Sequence, residues 1–125
     1  MLLHWIPEDK IDYEMLCKNK NPNAIYLLES KNKMKDLRIS AWHWLSANPN
    51  ALHIIERQPD KIDWWELSRN PNAIDLLMKN PEKIKWNWFS MNPNAIELLE
   101  REPEKISWIS LSQNPSIFEE IYDFK

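Results

Sequence analysis

The chain contains no glycine and only one cysteine in 125 residues. Without glycine it cannot build the glycine-rich loop that cradles a phosphate chain. With Cys17 alone there is no internal disulfide, and a lone thiol fits a reducing, intracellular compartment. Cys17 has no Cys or His partner at finger-like intervals, and His4, His43 and His53 share no metal-ligand spacing. No apolar run approaches the roughly 18 residues of a membrane span. Met1–Ile6 is too short for a secretory leader. The formal charge of −3 provides no general attraction to nucleic acid or to an anionic membrane. Turn glycines and strict alternation of apolar and polar residues are both missing, which disfavours a β-solenoid.

Proline and tryptophan are abundant instead, at nine and eight residues. Pro59, Pro81 and Pro103 are spaced by 22 residues, as are Pro49, Pro71, Pro93 and Pro115. Trp42, Trp64, Trp86 and Trp108 keep the same spacing. A fixed period of this length marks one supersecondary unit stacked on copies of itself. The expectation is a single all-α domain over 1–125, a solenoid of about five helix-turn-helix units with a Trp-rich core. The units start near residues 7, 36, 59, 81 and 103, and Leu2 and Leu3 read as half of a preceding second helix. Pro22 to Pro49 is five residues longer than the period, with a basic insertion at 30–35.

Each unit reads as two short helices. Proline at a first helical position loses nothing, because its missing N–H would have had no partner there. Acids follow it at Asp60, Glu82 and Glu104, where the helix dipole favours them. The first helix is predicted from about Pro59 to Ser68. The second is predicted to start at the Asn70 cap with Pro71 next, presenting Ala73, Ile74, Leu76 and Leu77 as an apolar stripe. Helices this short are unstable alone, so their neighbours must hold them.

Comparing the units column by column separates core from surface. Tyr13, Trp42, Trp64, Trp86 and Trp108 form an always-aromatic column, expected to be a buried ladder. Leu16, Leu45, Leu67, Phe89 and Leu111 belong to the same core. The next two columns hold Glu14, His43, Trp65, Asn87, Ile109 and Met15, Trp44, Glu66, Trp88, Ser110. Positions that accept Glu, Asn or Ser are not expected to be fully buried. Trp44, Trp65 and Trp88 are therefore candidate interface residues. The chain ends add Leu2, Leu3, Trp5, Phe118, Tyr122 and Phe124, and neither end reads as a polar cap. A homodimer is expected on that account.

Catalysis is not expected. The carboxylates follow repeat positions as solvated faces, and Ser46, Ser68, Ser90 and Ser112 recur before the Asn-Pro step with no base to activate them. No catalytic residue, cofactor or metal is assigned. The alternative is nucleic-acid binding through the basic stretch Lys31–Arg38 and adjacent tryptophans. The charge of −4 from residue 51 onward argues against it.

The string K-I-x-W-x-x-L-S-x-N-P-N-A-I-x-L-L, at residues 61–77 and nearly intact at 83–99, resembles short tandem repeats in proteins of giant DNA viruses of the marseillevirus and mimivirus type. A weaker likeness is to leucine-rich-variant helical repeats, which also place Asn-Pro between short helices. The viral resemblance covers essentially the whole chain. It implies a viral protein in the host cytoplasm or virion, from a family without an assigned enzymatic role. The function expected is a protein-interaction module that self-associates or binds a host or viral protein.

Overall fold

The computed structural model describes residues 1–119, which are all-helical with no strand. Tyr122 and Phe124 lie outside the described residues. Short α-helices alternate with 3-10 turns: α1 Tyr13–Leu16, α2 Pro22–Ser30, α3 Ile39–Ala47, α4 Leu52–Ile55, α5 Trp64–Ser68, α6 Ile74–Met78, α7 Trp86–Phe89, α8 Ile96–Arg101 and α9 Trp108–Leu111. Helix α3 packs on α4 and α5, and α5 packs on α6 and α7. The core runs along these contacts through Leu45, Leu67 and Phe89 on one side and Leu28, Ile55, Leu77 and Leu99 on the other. Ala51, Ala73 and Ala95 are buried between them, where a larger side chain would push the helices apart.

The predicted helix over Pro59–Ser68 is broken in two. Pro59–Lys61 forms a 3-10 turn, Ile62 and Asp63 are extended, and α5 begins at Trp64. Asp63 caps the restart, its carboxylate accepting the backbone N–H groups of Trp65 and Glu66 at 3.0 and 3.1 Å. The break turns the isoleucine inward, as at buried Ile84. Before each turn, Gln58, Asn80 and Glu102 leave the helical region at φ −131, −133 and −129°, as a residue ahead of proline must.

The second helix also starts later than predicted. Asn21 caps α2 with Pro22 in first position, but α6 and α8 begin only at Ile74 and Ile96. Asn70 Oδ1 accepts from the Asn72 N–H at 3.0 Å, closing a turn without starting a helix. Its amide does something else. Asn48, Asn70, Asn92 and Asn114 are at most 2% exposed. Asn70 Nδ2 donates to the Ser46 and Asn48 carbonyls at 3.0 and 3.1 Å. Asn92 Nδ2 donates to Ser68 and Asn70 at 3.0 and 2.9 Å, and Asn114 Nδ2 to Ser90 and Asn92 at 3.0 and 2.8 Å. Asn70, Asn92 and Asn114 thus each reach two carbonyls of the preceding stretch, and Asn48, Asn70 and Asn92 in turn accept from the asparagine that follows.

Serines make a parallel row of ties. Ser46, Ser68 and Ser90 accept from the N–H of Asp63, Lys85 and Ser107 at 3.0, 2.9 and 3.1 Å. Cys17 occupies this position in the first unit and is fully buried, its Sγ 3.6 Å from the Tyr13 carbonyl. Burial pushes its thiol up to about 12. The folded protein is expected to resist a thiol reagent at mildly alkaline pH and to react at once when unfolded. Equal rates in the two states would place Cys17 at the surface.

The long unit takes up its five surplus residues in two places. Asn32, with φ 54°, turns the chain after α2, a conformation asparagine tolerates. The remainder lengthens α3, which starts three residues before Trp42, whereas α5 starts at Trp64. The turn Met34–Asp36 stands where the other units have Pro-Asp-Lys or Pro-Glu-Lys.

Candidate interaction surface

The aromatic column is less buried than its constancy implies. Only Trp42 is buried, Tyr13, Trp64 and Trp86 are half-buried, and Trp108 is 64% exposed. Helices of four or five residues are too short to close over an indole. Over Tyr13, Trp42, Trp64 and Trp86 a lysine at the following 3-10 turn covers the ring instead. Lys61 Nζ is 4.9 Å from the Trp42 centroid, Lys83 5.5 Å from Trp64 and Lys105 5.0 Å from Trp86. Lys33 covers Tyr13 in the same way at 5.2 Å. Cation–π attraction and the apolar lysine stems cover the faces that the backbone leaves open.

The variable columns supply the exposed apolar surface. Trp65 is 48% exposed and meets Trp88 edge-on, with centroids 6.2 Å apart and planes at 67°. Lys85 lies 4.9 Å over Trp65 and Arg69 5.0 Å over Trp88. Trp44 is half-buried beneath Lys18, at 5.0 Å. Ile109, in the Trp65 column, is 84% exposed, and Ile39 at the start of α3 is 88% exposed. Nothing in the column comparison singled out Ile39, because the added turn of α3 has no counterpart in other units. A groove of about 680 Å³ runs beside this surface, lined by Leu37, Ile39, Trp42, Trp64, Trp65 and Lys85.

One residue of the variable columns overturns its expectation. Glu66 is only 6% exposed. Its carboxylate pairs with Arg69 at 2.9 Å and lies 3.3 Å from His43 Nε2. Pairing offsets the desolvation that would otherwise keep a carboxylate at the surface. His43 Nδ1 meets the Asp63 carboxylate, so both ring nitrogens face acids and neither is free to act on a substrate. This bridge from α3 to α5 went unseen in the sequence, where His43 and Asp63 are 20 residues apart.

At the N-terminal side Leu2 is half-buried, while Leu3 and Trp5 are exposed. With α2, this segment borders a second groove of about 700 Å³. Phe118 is exposed beyond the turn Pro115–Ile117. These terminal residues lie far along the chain from Trp65 and Trp88, and the structure does not join them to the central pair in one lined groove.

Several cations of the basic stretch are engaged within the chain. Lys31 pairs with Glu8 at 2.9 Å, Lys33 covers Tyr13, and Arg38 Nε lies 3.0 Å from Glu14. The Arg38 hydrogen bonds hold the Glu14 carboxyl below its ordinary value. Among the described residues, no group of three His, Cys, Asp or Glu is placed to hold a metal ion. No helix among them is long and apolar enough to cross a membrane. Comparison with protein-family models, with curated proteins and with solved structures finds no match to this chain.

Proposed function

We propose that the protein is a short helical solenoid that works as a non-enzymatic interaction module, associating with itself as a homodimer. The asparagine and serine ties recurring from unit to unit support the solenoid. The observation that carries the binding role is the exposed apolar column of Trp65 and Ile109, whose sister positions are His43 and Asn87. A chain of 15.1 kDa that leaves an indole and an isoleucine open on one side has surface suited to a protein partner. The resemblance to giant-virus repeats extends this reading to a host or viral protein as a further partner, inside the host cell or the virion.

Gel filtration with light scattering tests the dimer. The mass expected at micromolar concentration is twice the 15.1 kDa of the chain. A paired Trp65→Ser and Ile109→Ser variant is expected to return the monomer mass while staying folded, with a melting midpoint lowered by the lost Trp65–Trp88 contact. A wild-type mass that stays at one chain on concentration would sink the homodimer.

A further inference from the structure

The long unit creates a feature that the regular period does not foretell. Between the end of α2, the turn Met34–Asp36 and the end of α4 lies a cavity of about 400 Å³. Lys35, Arg57 and Lys61 line it, together with Glu29, Trp42 and Gln58. Among the described residues none of these three cations is in an ion pair. The one acid, Glu29, has its carboxylate 3.0 Å from His53 Nε2. The cavity thus carries an excess of two positive charges over negative ones.

Trp42 forms part of the wall, and its indole Nε1–H is the one buried side-chain polar atom without a hydrogen-bond partner among the described residues. An indole N–H can only donate, so what it lacks is an acceptor.

We propose that this cavity is a binding site for a phosphate group, carried by a small phosphate monoester. A phosphate monoester bears about −1.5 to −2 charges at neutral pH, which matches the excess positive charge. The planar Arg57 guanidinium suits two phosphate oxygens at once, and the two ammonium groups complete a charge-assisted cradle. Met34, Ile54 and the Trp42 ring provide apolar wall for an organic stem. A carboxylate would leave one cation unmatched. A nucleic-acid strand needs a row of cations, whereas Asp60, Glu82 and Glu104 alternate with the lysines along the neighbouring 3-10 turns.

The test is a titration of the full chain with inorganic phosphate and with glycerol 3-phosphate, read at the tryptophan indole N–H resonances. One indole resonance is expected to move in a saturable way with either ligand. Tighter binding of the ester would add its stem to the site, and equal binding would restrict the site to the phosphate group. Arg57→Ala and Lys35→Ala are both changes at exposed positions. Each is expected to weaken binding by about tenfold without moving the melting midpoint. The same shift with sodium chloride at matched ionic strength, or binding unchanged in both variants, would overturn the proposal. So would an affinity for oligothymidylate that exceeds the ester's and grows with length, which would point to strand binding along the surface.

Discussion

Phe89→Ala is expected to lower stability by about 3–5 kcal/mol, the range for removing a large ring from a closed core. Phe89 has no exposed surface and stands where the other units place leucine, so the deletion leaves a cavity between α5, α7 and their partners. Trp86→Ala removes a larger side chain and is expected to cost only about half as much. Trp86 is half-buried, with one face against Phe89 at 5.3 Å and 84° and the other under Lys105. Part of its area is therefore wet before the mutation, and the loss scales with area removed from contact. Chemical denaturation of the two variants decides between the columns. A loss for Trp86→Ala equal to that for Phe89→Ala would make the aromatic column the core, as its constancy first implied.

Asn92→Ala carries the second large effect, about 2–4 kcal/mol. The buried amide reaches two carbonyls of earlier units, at Ser68 and Asn70, while Oδ1 holds the Asn94 N–H at 3.0 Å. Asn70 O also accepts from the Ala73 N–H at 3.0 Å, so Ser68 O suffers most when the amide is removed. Two controls isolate the mechanism. Asn94→Ala removes an exposed bond to Pro71 O and is expected to cost about 1 kcal/mol or less. Asn92→Asp keeps the acceptor that closes the turn but loses both donors and buries a charge. If the residue acted only as a cap, aspartate would replace it freely. The expectation is that Asn92→Asp is at least as damaging as Asn92→Ala in thermal melts, and an unchanged midpoint would refute the interlocking role.

The helical class, the 22-residue period and the Leu45, Leu67, Phe89 core were legible because they depend on local rules. Proline cannot continue a helix, and an apolar column repeated at fixed spacing marks a packed face. The interior of the unit was read less well. The split of the first helix occurs at Asp63, which caps α5, and again at Lys85, which makes no side-chain cap, and the stretch that reads as one helix hides that restart. Exposure was legible for Trp65 and for the column that also holds Ile109, while Ile39 and the His43 bridge emerged only in three dimensions.

By itself the sequence determined that the chain is helical and which aliphatic side chains lie between the helices. Only the tertiary structure decided what the polar residues do. Asn92 looks like a cap and is an interlock between units; Glu66 sits in a tolerant column and is buried; Trp42, Trp64 and Trp86 lie under lysines of the next unit. The reason is physical. Apolar burial depends on periodicity along one chain segment, which a sequence displays. A buried polar group is stable only if a particular partner stands within hydrogen-bond reach, and here those partners come from residues about 20 positions away.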